Sequence, residues 1–165
     1  MDVTMTLEIR VDDLSGADTQ RMIARHLDGM HALSPAESCH ALDIDGLRDP
    51  SVTFWSAWSD GELAGIAALK RLDADRGEIK SMRVDDAFLG RGVGRRLLER
   101  IIDEAVAAGL ESLWLETGST AEFLPARTLY ERAGFTPCGP FADYREDPLS
   151  VFMTLTLRNA PAAGR

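Results

Sequence analysis

The sequence predicts an α/β domain of the α+β type, with a central, mostly antiparallel mixed sheet flanked by helices. Val52–Ser59 and the segment 62–72, rich in β-branched and aromatic residues, are joined by Asp60-Gly61, a strong hairpin signal. A third extended segment, 77–84, follows the polar turn 73–76 and extends the pair into a meander. Beyond residue 92 helical and extended patterns alternate, as in a chain that folds helices back onto a sheet.

Taken in order, the segment 3–11 alternates polar and apolar residues as a strand does. Residues 18–33 then place Met22, Ile23, His26, Leu27 and Met30 at helical spacing. Residues 34–50 mix Pro, Ser, Asp and Gly with short apolar pieces such as Ala41-Leu42-Asp43-Ile44, which reads as a short helix or loop. After the meander, Leu97, Leu98, Ile101, Ile102, Ala105 and Val106 recur on one helix face to about Ala108, and Gly109 supplies the stop. Residues 111–117 read as a strand. Pro125 suits the first turn of a helix carrying Ala126, Leu129, Tyr130 and Ala133, which Gly134 ends. Alternation over 151–157 closes the sheet, and the small and polar tail 159–165 is expected to fray.

With 165 residues, 45% of them hydrophobic and 27% charged, the chain has the balance of one globular domain, placed at 1–158. No apolar run approaches the roughly 18 residues of a membrane span. The first ten residues lack the basic start and continuous apolar stretch of a secretory signal, so a cytoplasmic protein is expected. Cys39 and Cys138 stand far apart with no CxxC spacing, and His26, His31 and His40 are not grouped with carboxylates or thiols. Neither a disulfide framework nor a metal site is expected. A net charge of -9 disfavours nucleic acid and anionic membranes as partners and favours a cationic small molecule. Against that background Arg91, Arg95, Arg96 and Arg100 stand against a single acid, Glu99, a local basic island that invites an anion.

Leu89-Gly90-Arg91-Gly92-Val93-Gly94-Arg95 joins the strand ending near Val84 to the long helix. Without Cβ atoms such a loop exposes N–H groups at the positive end of the helix dipole, where phosphate or pyrophosphate is the natural guest; a mere tight turn is the competing reading. A P-loop needs Gly-Lys-Ser or Gly-Lys-Thr, and Gly94-Arg95-Arg96 stands instead. A dinucleotide fold needs GxGxxG in an opening βαβ unit, whereas here GxGxG follows an antiparallel hairpin.

Glu78-Ile79-Lys80-Ser81-Met82-Arg83-Val84, then Gly90-Arg91-Gly92-Val93-Gly94, then Ala126-Arg127-Thr128-Leu129-Tyr130-Glu131-Arg132-Ala133-Gly134-Phe135 resemble, in order and spacing, the GNAT superfamily of N-acetyltransferases. The likeness covers residues 52–135, and Cys138-Gly139-Pro140-Phe141 with Ser150-Val151-Phe152-Met153 resembles a bacterial subgroup acting on small molecules. It implies acetyl-CoA as cosubstrate, no metal, and a sheet that splays between the strand ending at Val84 and the strand starting at Glu111. By the resemblance, pantetheine pairs with the backbone of Met82, Arg83 and Val84, while amides of Leu89, Gly90, Arg91, Gly92, Val93, Gly94 and Arg95 hold the pyrophosphate. The family signature opens with Gln or Arg where Leu89 stands, and its usual asparagine before the last helix falls at Phe123.

Amine acylation by a thioester needs a neutral amine, a stabilised oxyanion and a proton for the departing thiolate. The resemblance makes Tyr130 the acid; an aromatic that fills the helix face is the competing reading. Glu78, eleven residues before Leu89, matches the general-base carboxylate of the histone-acetylating branch, against the reading of a solvated strand-end glutamate balancing Lys80 or Arg76. An unbroken strand puts Glu78 on the face of Met82 and Val84, and a bulge near Met82 would change that facing. The oxyanion is expected on a backbone N–H of Met82 or Val84. The expected reaction is direct transfer of acetyl to the primary amine of a small molecule, drawn in by Asp143, Glu146 and Asp147 of the loop 141–148. A non-catalytic CoA-binding sensor, and an enzyme acting on protein lysines or N-termini, are the alternatives. An exposed sheet edge makes a homodimer reasonable.

Overall fold

The computed structural model of the chain describes residues 6–33 and 42–157. Cys39, His40, the beginning of the strand read at 3–11 and the tail 159–165 lie outside them. The elements run β1 (Glu8–Val11), α1 (Ala17–Leu33), α2 (Ile44–Leu47), β2 (Val52–Ser59), β3 (Glu62–Arg71), β4 (Arg76–Val84), α3 (Val93–Ala107), β5 (Ser112–Gly118), α4 (Leu124–Arg132), β6 (Thr136–Cys138) and β7 (Ser150–Thr156). One seven-stranded sheet has the order β1-β2-β3-β4-β5-β7-β6. Every neighbouring pair is antiparallel except β4 and β5, which are parallel, so the sheet is mixed and mostly antiparallel as the sequence predicts.

The hairpin turns where the sequence places it. Asp60 has φ 50° and Gly61 φ 81°, the pair of positive values that a type I′ turn needs. Of the short elements, β6 has no sequence signal of its own. It carries Pro137 at the sheet edge, where a missing N–H is tolerated, and forms because β7 offers a partner from Thr136↔Thr154 to Cys138↔Phe152.

Two apolar layers sandwich the sheet. On one face Val93, Leu97, Leu98, Ile101 and Ala105 of α3 are buried together with Trp55, Leu113, Leu115 and Tyr130, the last from α4. On the other, Met22 and Ile23 of α1 and Leu47 of α2 pack on Phe54, Ile66 and Ala68. Alternation along β5 therefore sends Leu113, Leu115 and Thr117 toward α3 and α4, and Trp114 and Glu116 toward α1. No described helix is long and apolar enough to cross a membrane.

Candidate functional site

The β4–β5 ladder runs only from Arg76↔Ser112 to Ile79↔Leu115. Past it the strands part, and Lys80 and Glu116 are the first residues on either side of the gap. A cavity of about 100 Å³ occupies it, with Glu78, Lys80, Glu116 and Tyr144 on the α1 side and Thr117 and Tyr130 on the α4 side.

A bulge at Ser81 shapes this gap. Ser81 has φ 57°, a left-handed value uncommon for a residue with a side chain, and the β3–β4 register jumps from Ile66↔Arg83 to Ala68↔Lys80. The extra residue reverses the alternation. Met82 and Val84 pack into the α3 layer, whereas Glu78 and Lys80 face α1. The facing expected of an unbroken strand is thus corrected: Glu78 does not share a face with Met82 and Val84. Ser81 is buried, and its Oγ has no hydrogen-bond partner among the described residues.

Glu78 is 3% exposed and is held by two donors. Its Oε2 accepts from Lys80 Nζ at 3.0 Å and from the Tyr144 hydroxyl, and Lys80 Nζ also donates to the Tyr144 oxygen at 2.9 Å. This excludes the reading of Glu78 as a solvated strand-end residue. Tyr144 reaches β4 from the β6–β7 loop because Phe141, buried on Trp114 at 5.5 Å and Phe152 at 6.0 Å, pins that loop to the sheet; the Tyr144 ring packs tilted against both phenylalanines. Burial pushes the Tyr144 phenol well up, and the Glu78 charge adds to the effect. Across the gap, Glu116 Oε2 accepts from Ser150 Oγ at 2.8 Å. Burial pushes the Glu116 carboxyl up to about 7, with Ser150 and Lys80 pulling it down and the charges of Glu78 and Asp147 raising it further. His26 of α1 also lines the cavity; burial, with the charge of Arg83, pushes it down to about 4.

Tyr130 is 5% exposed and sits edge-on to Phe135 at 5.7 Å. It both fills the helix face and borders the cavity. Burial pushes its phenol well above the ordinary value, which keeps the proton available for donation at neutral pH.

A second, larger cleft of about 660 Å³ lies between the first turns of α3 and helix α4. Gly90, Gly92, Gly94 and Arg95 form one wall, and Thr128 and Arg132 the other. Gly90 (φ 76°) and Gly92 (φ 80°) occupy the left-handed region, and a Cβ on either would meet nothing within 4 Å. Gly92 caps α3 without any side-chain hydrogen bond to the first turn. Its free N–H groups therefore open onto unfilled space beside two arginines, a cradle that fits a pyrophosphate.

Not every expected binding residue turns its side chain this way. Val93 is buried in the core, Val84 packs behind Gly94, and the Arg83 guanidinium points at Gly29 of α1. Leu89 is 61% exposed. The Arg91 guanidinium lies 5.8 Å over the Phe88 ring, and Arg95, in the cleft, is 3.9 Å from Glu99. For these the expected contacts rest on backbone amides. Of the loop acids expected to attract an amine, Asp143 and Glu146 are exposed. The carboxylates inside the cavity are Glu78 and Glu116. Glu116, Tyr144 and Arg132 went unread in the sequence. The alternation Leu113-Trp114-Leu115-Glu116 was a usable signal, since it puts an acid on the face opposite the core. Among the described residues no three His, Cys, Asp or Glu side chains cluster as metal ligands would.

Known proteins agree with this architecture. Residues 18–135 match the Acetyltransferase (GNAT) family. The chain is 54% identical to the uncharacterized N-acetyltransferase YsnE of Bacillus subtilis (strain 168), over 92% of this chain and 100% of that one. It is 46% identical to an IAA acetyltransferase of Azospirillum brasilense, over 73% of this chain and 78% of that one. A crystal structure of an acyl-CoA N-acyltransferase from Klebsiella pneumoniae superposes with a TM-score of 0.74 at 28% identity, covering 92% of this chain and 97% of that one. A sheet that parts beside a glycine-capped helix, in a chain 54% identical over 92% of its length to a bacterial protein named an N-acetyltransferase, places this protein in the Acetyltransferase (GNAT) family, as an acyltransferase.

Proposed function

We propose that the protein transfers an acetyl group from acetyl-CoA directly to the primary amine of a small molecule, in the cavity between β4 and β5. One observation carries the reading: the cavity passes through the sheet, with the buried phenol of Tyr130 on one side and the buried Glu78 and half-buried Glu116 carboxylates on the other. An acid for a leaving thiolate and anions for an incoming ammonium thus stand on opposite sides of the point where an acyl group would change hands.

Acetyl-CoA supplies the activated thioester, whose carbonyl carbon the neutral amine attacks. In this reading the amides of Gly90 through Arg95 and the guanidinium of Arg132 hold its phosphates at the outer cleft. Past the last β5 partner, the β4 backbone at Met82, Arg83 and Val84 is left to pair with the pantetheine arm, and an N–H of Met82 or Val84 faces the developing oxyanion. Glu78, fixed by Lys80 and Tyr144, draws the acceptor's ammonium into the cavity. Tyr130 gives its proton to the departing sulfur. A space of about 100 Å³ suits an acetyl group meeting a single aminomethyl end. A small-molecule acceptor also agrees with the relative named for acetylating IAA.

The test is turnover of acetyl-CoA, followed as free thiol release, against a panel of polyamines, amino acids and aromatic amines. Release that depends on one acceptor class, with a product one acetyl group heavier, is the expected result. Acetylation confined to protein lysines or N-termini would overturn it.

A further inference from the structure

We propose that the acceptor carries a carboxylate as well as its amine, and that Lys70 and Arg71, in a cleft adjoining the splay, hold that carboxylate. The inference rests on the acetyl transfer proposed above and narrows its acceptor from any primary amine to an amino acid or a close analogue.

The cleft has a volume of about 580 Å³ and lies between the end of β3, the start of β4 and the loop that carries Tyr144. Glu78, Lys80 and Tyr144 line both this cleft and the smaller cavity in the splay, so a ligand that reaches into both lies along that trio. The register brings the parts together. Lys70 of β3 stands opposite Glu78 of β4, and directly opposed residues of an antiparallel pair share a face of the sheet.

In a chain of net charge -9 this cleft is basic, with Lys70, Arg71, Arg76 and Lys80 against Glu78 and Asp143. Two of the four cations are already paired: Lys80 Nζ lies 3.0 Å from Glu78, and Arg76 Nε 2.8 Å from Asp73. The other two are not. Arg71 donates from Nε to the Asp73 carbonyl at 3.2 Å and from Nη2 to the Ala74 carbonyl at 2.9 Å, which fixes the guanidinium without neutralising it. Its Nη1 has no acceptor among the described residues, and neither Arg71 nor Lys70 forms an ion pair there. Asp49 feels the Lys70 charge, but its carboxylate is engaged by the N–H and hydroxyl of Ser51.

What is left in the cleft is Lys70 and Arg71 against the exposed Asp143, one net positive charge. That balance suits a singly charged carboxylate better than a phosphate dianion, and both cations offer it charge-assisted hydrogen bonds. Along the trio the sign of the charge reverses, since the splay holds Glu78 and Glu116. An amino acid matches this layout with its ammonium in the splay and its carboxylate in the cleft. A polyamine does not, because its second ammonium would meet Lys70 and Arg71.

The test compares wild type with Lys70→Met and Lys70→Arg; Arg71 stays in place because it also holds the turn at 73–76. The probes are glycine, β-alanine and γ-aminobutyrate, their uncharged amides, the corresponding aminoalkylphosphonates, and putrescine. Added to the protein with CoA present but no acetyl donor, the best amino acid should shift the backbone amide NMR signals of Lys70, Arg71 and Asp143, and its amide should not. With acetyl-CoA, kcat/KM for that amino acid should exceed the value for its amide by about 10-fold to 100-fold, chiefly through KM. Lys70→Met should shrink that preference toward one, and Lys70→Arg should keep most of it. Equal shifts from acid and amide, no shift at Lys70 with any amino acid, a preference for putrescine, or a preference untouched by Lys70→Met each overturns the proposal. Tighter binding of the phosphonates overturns the carboxylate assignment in favour of a phosphate. The titration needs no turnover, so the two readings can fail separately. Amino acids that bind at Lys70 but are never acetylated overturn the function reading, whereas acetylation of amines without regard to a carboxylate overturns this inference alone.

Discussion

Lys80 Nζ lies 2.9 Å from the Tyr144 hydroxyl, and the two close on the same carboxylate oxygen of Glu78. The lysine side chain is only 9% exposed and that of Glu78 5%, so neither charge can turn to water if its partner is removed. Breaking a buried ion pair from one side typically costs about 3–5 kcal/mol, whereas replacing both members by neutral residues of similar shape is nearly neutral. Lys80→Met should therefore lower stability by an amount in that range, and the double variant Glu78→Gln with Lys80→Met should recover most of it. Urea unfolding of the two variants measures this. Equal losses in both would show that the pair is not coupled.

At the other end of the site, Gly92 has φ 80° and open space where a Cβ would stand, at the cap of α3. Gly92→Glu should abolish measurable CoA binding in calorimetry, because its carboxylate lies where an anion is to be held. Gly92→Ala carries the same left-handed strain, about 1–2 kcal/mol, without the charge, and should retain binding. Parallel loss in both would point to loop distortion in place of charge.

Stability should register Glu116 as well. Its carboxyl holds a proton up to about 7 in the folded protein, against an ordinary value of 4.5. Between those values the folded state binds more protons than the unfolded one, so the stability linked to Glu116 is complete below about 4.5 and is lost as pH rises through about 7. Glu116→Gln removes that loss. Relative to wild type, the variant should gain about 2 kcal/mol on going from mildly acidic to mildly alkaline solution, a figure of order set by the size of the shift. Thermal melts at the two ends measure it. His26 titrates with the opposite sign and is common to both proteins, so it cancels in the difference.

Much of this was legible locally. Asp60-Gly61 fixes a two-residue turn by its own backbone preferences, and β2 and β3 then follow from alternation on either side of it. The glycine run at 90–94 announces an exposed helix start because only backbone without Cβ atoms serves there. What escaped is what distance in sequence conceals. Serine has no special liking for the left-handed region, so nothing near Ser81 marks the bulge; the register between β3 and β4 imposes it, and with it the facing of Glu78. Tyr144 meets Glu78 across 66 positions, through a loop whose placement depends on Phe141 packing against Trp114 and Phe152.

Tyr130 carries the central claim, that acetyl transfer takes place where the sheet parts. Its ring packs on Phe135 and the residue lines the cavity, so phenylalanine keeps the packing and removes only the hydroxyl. The measurement is kcat for Tyr130→Phe with acetyl-CoA and the preferred amine, under conditions where chemistry limits the rate. The account predicts an unchanged acetyl-CoA affinity and a fall in kcat of about 10²-fold to 10⁴-fold, the size of a lost acid–base group. A variant that turns over within about threefold of wild type would contradict it, since a group that donates the proton to sulfur cannot be removed so cheaply.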